Sequence, residues 1–256
     1  MIIVMIDPRL RDRVAVITGC DTALGVGAAL ARALARQQVR LLLCTEPGAE
    51  DHLTPALRAD GHLAEALAVD LADPHAPGLV YDTAETRLGP VEILVVNTGH
   101  ARTGTRAWGG EVVTGAGLDE HHARGTRAPA LLMAEHHRRH RARRGEWGRI
   151  ITLIPDSAGG PPGEVPAAAA GAALESLSRS AARECGPEGI TVNVIACGPV
   201  RTGWLSRDDA ERLASASPLG RLGHPDDIAD VAVFLASHQA RWLTGQTLRA
   251  SGGRTP

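Results

Sequence analysis

The sequence contains no lysine: each of its 27 basic residues is an arginine. Nucleotide bias in the gene would explain this, yet the chemical consequence stands, and no lysine-dependent mechanism can operate. Aromatic residues are scarce as well, with four Trp, one Tyr (Tyr81) and one Phe (Phe234). Packing must therefore rest on Ala, Leu, Val and Ile. The four cysteines, Cys20, Cys44, Cys185 and Cys197, show no C-x-x-C spacing, which argues against a metal site and a secreted disulfide framework. No excess of charge of one sign exists either. A net charge of −2 supplies no global field to draw the chain to nucleic acid or membrane. The opening apolar run, "MIIVMI", stops at Asp7-Pro8 and is too short for a signal-peptide core or a membrane span. These absences lead us to expect a soluble cytoplasmic protein with no nucleic-acid or membrane partner.

What is present is an alternation. Of the 256 residues 44% are hydrophobic, enough for one domain over residues 1–256. "RVAVITG" (13–19) reads as a buried strand closing on glycine, "GVGAALARALARQ" (25–37) as a helix and "VRLLLC" (39–44) as a second strand. Such a βαβ unit makes its strands parallel. Further strands are predicted over 65–71, 91–97, 149–154, 190–196 and 245–250. A helix should begin at Thr54-Pro55, with Thr54 as N-cap. Others are expected from Asp73-Pro74 to about Leu88, over 117–140, over 164–185 and over 224–237. Continuous apolar strands between helices predict an α/β fold: one doubly wound, Rossmann-type parallel sheet covered on both faces.

"TGCDTALGVG" (18–27) sets glycines at a strand-to-helix turn. Gly19 permits the tight turn, while Gly25 and Gly27 let backbone amides at a helix N-terminus approach a pyrophosphate. Later come "VDL" (69–71), "VNTGH" (96–100), "GPEGITVNVIACGPVRT" (186–202), "SPLGRLGHPDDIADVAVFLAS" (217–237) and "LTGQTLRASGG" (243–253). In this order they resemble the short-chain dehydrogenase/reductase family, near its 3-oxoacyl-carrier-protein reductase branch, from about Arg13 to Gly253. The resemblance implies a site for NAD or NADP. Its pyrophosphate turn would use Thr18, Gly19, Gly25, Val26 and Gly27. Asp70 and Leu71 would flank the adenine, Asn97 and Gly99 the adjoining ribose, and Val200 and Thr202 the nicotinamide amide. Five residues separate Gly19 from Gly25 where three are commonest. At the end of the second strand stand Thr45 and Glu46, with no basic residue there for the 2′-phosphate of NADP, which Glu46 would repel. Cys197 replaces the usual proline.

Members of that family work through a tyrosine that transfers a proton, a lysine four positions later, a carbonyl-polarising serine and a supporting asparagine. Aligned on "LSRSAARECGPEGITVN", the tyrosine position falls on Ala167 and the lysine position on Gly171. The serine position falls on Pro155, or on Ile154 if a gap is placed earlier. The asparagine position falls on Gly125, or on His122 in a shifted register. No catalytic residue of the family pattern is assigned. Tyr81 is expected in the helix between the third and fourth strands, away from the site.

Substitute groups near the vacated cleft would be His100, Asp156, Ser157, Glu164, Cys197, Arg201 and Trp204. A His100–Asp156 pair could run dehydration, isomerisation or cyclisation, although loop-capping or solvated roles are the favoured reading. Cys197 and Cys20 are read as small buried filler. His136 and His140 share a helical face and could hold a metal, and the neighbouring arginines could bind phosphate, but a solvated helix end is favoured. No metal site is expected. The leading expectation is a redox-inactive pseudoenzyme, a homo- or hetero-oligomer with an intact relative. The alternatives are a repurposed acid–base enzyme acting on a polyketide-like or other small-molecule substrate in secondary metabolism, and a reductase whose substrate hydroxyl supplies the proton.

Overall fold

Short runs of β-branched and leucine residues form the strands because a parallel sheet buries both of its faces. In the computed structural model, residues 7–97, 114–156, 165–203 and 205–254 are described. Strands β1 (Val14–Ile17), β2 (Arg40–Thr45), β3 (Ala64–Ala68), β4 (Ile93–Asn97), β5 (Gly148–Pro155), β6 (Ile190–Cys197) and β7 (Thr247–Ala250) make one sheet. Its order is β3-β2-β1-β4-β5-β6-β7, and every pairing is parallel. The order reverses between β1 and β4, and a crevice at such a switch point is where open α/β sheets place ligands.

Helices α1 (Val26–Arg36), α2 (Leu53–Ala59), α3 (Ala76–Arg87), α4 (Gly115–His122), α5 (Ala128–Ala142), α6 (Val165–Cys185), α7 (Arg207–Ser215) and α8 (Pro225–Ala236) complete the chain. One hydrophobic layer packs α1, α2 and α8 against residues such as Ile17, Leu43 and Ile195. The other packs α3, α5 and α6 against Val16, Val96 and Val194. Helices thus cover both faces of the sheet. Among the described residues no helix is long and apolar enough to cross a membrane.

Several boundaries differ from expectation, each for a local reason. Helix α2 starts two residues early, with His52 rather than Thr54 as N-cap, and the Asp51 carboxylate accepts from the Thr54 amide at 2.9 Å. Strand β3 stops at Ala68, after which the chain turns on Asp70, whose carboxylate accepts from the Ala72 amide. Helix α3 begins at Ala76 because Asp73 first binds the His75 amide in a turn. The strand expected over 91–97 spans Ile93–Asn97, and that expected over 245–250 spans Thr247–Ala250. The helix expected over 117–140 is a longer run, α4 to α5, interrupted by a π-helical turn at Ala123–Arg127. Helix α7 was not anticipated. Its Ser206 hydroxyl accepts from the Asp209 amide, an N-cap signature visible in "SRDD".

The end of α5 corrects a further expectation. His136 and His140 are fully buried rather than solvated. His136 Nδ1 shares a 3.0 Å hydrogen bond with the Tyr81 hydroxyl of α3, and His140 Nε2 lies 2.9 Å from the Glu188 carbonyl. Outside them, the Arg139 guanidinium binds Glu135, Asp82 and Glu85, each at 2.6 Å, tying α5 to α3. The histidines face inward because α5 packs against α3 along that side; Arg139 lies over the α3–α5 seam, and Arg138 takes the solvent side. Among the described residues no group of three metal-ligating side chains is close enough to hold an ion.

Candidate functional site

Three polar residues lock the turn after β1. The Thr18 hydroxyl and the Asn97 backbone are 3.0 Å apart in both directions, O–H to carbonyl and amide to Oγ1. The Asn97 side-chain amide donates to the Gly19 carbonyl at 2.9 Å. Gly19 sits at φ +67°, where L side chains are strained, and a methyl there would overlap the Asn97 backbone. A methyl on Gly27 would likewise overlap the Gly19 carbonyl. Helix α1 therefore begins pressed against the turn. Its N-cap is Gly25, with no side-chain cap and no acidic residue in the first turn. The first amides of such a helix lack intrahelical partners and present positive potential. Thr18, Gly19, Gly25, Val26 and Gly27 are brought together at this open end, whose unpaired amides have the polarity that suits an anion.

The next end of the crevice, after β2 and β3, carries charge. Thr45 is buried, leaving Glu46 as the ionisable side chain. The Asp21 carboxylate fixes the Glu46 amide at 2.6 Å. Arg124 reaches in from the π-helical turn, with Nη1 2.5 Å from Glu46 Oε1 and Nη2 3.4 Å from Asp70 Oδ1. Partial burial holds the Glu46 carboxyl above its usual range, with Arg124 opposing and Asp21 and Asp70 adding to the rise. Leu71 packs against the α3/α5 layer. Sequence reading found no basic residue here because the arginine comes from 78 residues away.

At the other end, α6 meets the end of β5. A methyl on Gly171 would rest 3.7 Å from Pro155 Cδ and 3.8 Å from Ile154 Cβ, so helix and strand end are in contact at those positions. Gly125 lies within the π-helical turn, and a methyl on it would come 3.0 Å from Ala170 Cβ. Thr126 donates to the Ala170 carbonyl at 3.3 Å. Ala167 is half-buried in the first turn of α6. The only tyrosine, Tyr81, spends its hydroxyl on buried His136.

Asp156 follows β5 directly. Its amide donates to the Cys197 carbonyl at 2.8 Å, and one carboxylate oxygen is ion-paired with Arg249 of β7. The side chain is 3% exposed, and its second oxygen, Oδ2, is buried with no hydrogen-bond partner among the described residues. Asp156 is thus buried with one oxygen spent on an ion pair, where a loop-capping or solvated role was the favoured expectation. Burial pushes the Cys197 thiol up to about 12, with Asp156 adding to the rise. Cys20 is buried and raised well above its ordinary value by the same desolvation. Neither is an activated nucleophile. Val200 is held by a bridge to Gly223, and Arg201 donates its amide to the Gly223 carbonyl at 2.9 Å; Thr202 follows, half-buried. Gly99, His100, Ser157, Glu164 and Trp204 lie outside the described residues. Arg124 and Arg249 were missed. No sequence spacing ties either to its partner: the sheet order brings Arg249 to Asp156, and the π-helical turn brings Arg124 to Glu46.

A family model described as "Enoyl-(Acyl carrier protein) reductase" matches residues 19–255. The chain is 32% identical over 253 residues to the 3-oxoacyl-[acyl-carrier-protein] reductase of Escherichia coli, covering 94% of this chain and 96% of that one. Among solved structures it resembles a short-chain dehydrogenase/reductase from Serratia marcescens, at TM-score 0.87 and 28% identity, covering 96% of this chain and 99% of that one. It also resembles a blue fluorescent protein from a metagenomic library in complex with NADPH, at TM-score 0.82 and 30% identity, with 96% and 99% covered.

Proposed function

The chain belongs to the short-chain dehydrogenase/reductase family, and on that premise we propose that it binds a nicotinamide dinucleotide, lacks ordinary redox turnover, and serves as the non-catalytic partner of an intact relative. The contact between Gly171 and Pro155 carries this reading. Where the family resemblance asks for an ammonium, a serine hydroxyl and, one turn earlier on α6, a phenol, the chain brings hydrogen, a pyrrolidine ring and the methyl of Ala167. The glycine turn is a separate matter. Its open helix end and methyl-excluding packing suit a dinucleotide, with Thr18, Gly19, Gly25, Val26 and Gly27 at the diphosphate and Asp70, Leu71, Asn97, Gly99, Val200 and Thr202 further along it. When bound, such a cofactor carries a hydride.

Removing a positioned proton donor costs about 10²–10⁴ in rate. Orientation alone supplies several kcal/mol, but here the ribose anchor and the carbonyl orienter are replaced together with the acid. Calorimetric titration with NADH and NADPH, followed by stopped-flow mixing with candidate ketones, tests the reading. Nucleotide binding with flat absorbance traces is the expected outcome. Turnover at rates usual for enzymes, about 1–10³ s⁻¹, would sink it, as would failure to co-purify with any co-expressed intact relative.

One observation favours a second reading. Asp156 Oδ2 is a buried acceptor with no partner among the described residues, beside the vacated positions, and an acid–base step on a small molecule would use such an oxygen. For any substrate found to turn over without nucleotide, Asp156→Asn should abolish the reaction; turnover unchanged in that variant would remove this second reading.

A further inference from the structure

At the opposite edge of the sheet, where the strands begin, a buried cation has no ion-pair partner among the described residues. Arg149, the second residue of β5, is 2% exposed. Strand alternation turns it to the side of Ile151, toward the α1–α8 layer that Trp147 also joins. Burying a guanidinium is costly unless it is paired. Among the described residues its side chain makes one hydrogen bond, Nη1 donating to the Gly148 carbonyl at 2.7 Å, and Nε is buried without a partner. The Trp147 ring lies 4.3 Å away, but stacking uses the face of a guanidinium and leaves the N–H groups on its rim free. Burial, then Arg13, lowers the Arg149 pKa to about 10. Arg13 lies 4.3 Å from the same ring and is ion-paired with Glu92. The chain before β1 is fastened to a 3₁₀ turn, His238–Ala240, that follows α8. The His238 amide donates to the Pro8 carbonyl at 3.0 Å, and Gln239 Nε2 to the Asp7 carbonyl at 2.9 Å. Half-buried His238 thereby comes among Arg9, Arg241 and Arg149, and burial and these three cations lower its pKa.

We propose that this edge of the sheet is a binding site for a phosphate dianion, with Arg149 as its buried anchor and Arg13, Arg9, Arg241 and His238 around it. The physical basis is a charge excess together with unspent donors. Four arginines meet two carboxylates here, Asp7 and Glu92, of which Asp7 accepts from the Arg9 amide and Glu92 is spent on Arg13. Asp12 is paired with Arg40, and counting exposed Glu146 as a third carboxylate leaves the cluster positive. Guanidinium N–H groups bind phosphate oxygens by charge-assisted hydrogen bonds, often in pairs, and a positive cluster draws a dianion more strongly than a monoanion. Arg9 and Arg241 are exposed, so an anion reaches the cluster by displacing side chains rather than backbone. The site is separate from the dinucleotide crevice, since the length of β5, roughly 20 Å, divides Arg149 from Asp156.

Calorimetric titration of the full chain with inorganic phosphate at pH 8, ionic strength held constant with sodium chloride, tests this. Keeping phosphate at or below about 10 mM avoids the general stabilisation that excluded salts produce. The wild type should bind phosphate saturably and at least tenfold more tightly than acetate. Arg149→Met, which keeps the length of the side chain and removes its charge, should lower phosphate affinity at least tenfold. Arg9→Gln combined with Arg241→Gln, both at exposed positions, should lower it at least threefold. No saturable binding, equal affinity for acetate, or affinity unchanged in Arg149→Met would overturn the proposal; binding retained by that variant would belong to the glycine turn after β1. Should circular dichroism show Arg149→Met unfolded, unchanged affinity in the Arg9/Arg241 double variant would overturn it alone. None of these outcomes bears on whether a dinucleotide binds in the crevice.

Discussion

His136 illustrates how a single buried side chain sets a pH limit. It is fully buried, and desolvation, aided by Arg143, His140 and His137, lowers its pKa from 6.5 to about 3. The folded state holds it neutral, whereas the unfolded chain takes up a proton below about pH 6.5. Unfolding therefore binds protons between these values, and stability falls as the solution is acidified from 6.5 toward 3. One such group contributes a slope of up to about 1.4 kcal/mol per pH unit; His140, also lowered by burial, adds to it. Urea midpoints taken between pH 7 and 5 should fall steeply in the wild type and less steeply in His136→Gln. An unchanged slope would show that the ring is solvated. Glycines differ at this scale as well. Gly27 has no room for a methyl, which would meet the Gly19 carbonyl, so Gly27→Ala should destabilise by about 1–3 kcal/mol. Gly171 has ordinary van der Waals space at 3.7 Å. Gly171→Ala should therefore stabilise by about 0.5–1 kcal/mol through helix propensity, read as a rise in thermal midpoint.

The elements show where sequence reading succeeds and where it stops. Runs such as "RIITLI" and "ITVNVIA" announce strands because a parallel sheet buries both faces and tolerates nothing but apolar side chains there. Glycine spacing revealed the turn after β1 for a related reason: a left-handed Gly19 and a helix packed on its carbonyl admit no other residue. The π-helical turn at Ala123–Arg127 left a mark of another kind. It is Pro129, the second residue of α5, which has no amide proton to offer the Gly125 carbonyl four residues back; "ARGTR" itself reads as ordinary surface helix. Yet this turn positions both Arg124 and Gly125, facing the β2–β3 ends on one side and α6 on the other. Such bulges often occur at functional sites. The Asp156–Arg249 pair was hidden for a different reason. Two strands that are distant in sequence meet only through the sheet order, which the alternation of elements does not specify. His136 misled because a row of "HHRRH" looks solvated until the packing partner, α3, is in place.

For the whole molecule, what α6 presents outward decides how copies or relatives could meet. Its inner side buries Ala170, Gly171, Leu174 and Ser178 against the sheet, and Thr152 lies within hydrogen-bond distance of Ser178 at 3.2 Å. Its outer side exposes Ala169, Ala172, Ala173 and Ser176, which carry no charge and little bulk. Helices with small outward residues can approach closely, and the proposed partnership with an intact relative would use that approach. A charge there should then break assembly without harming the fold, since the position is solvated in the isolated chain. Ala172→Arg should leave the thermal midpoint within about 2–4 °C, as an exposed substitution of no more than about 0.5 kcal/mol implies. Size-exclusion chromatography with light scattering on the co-expressed pair should show the wild-type complex replaced by separate species. If the complex persists with Ala172→Arg, assembly proceeds through another face. Two large exposed apolar side chains, Phe234 on α8 and Trp242 beyond it, then become the positions to charge next, with the same readout.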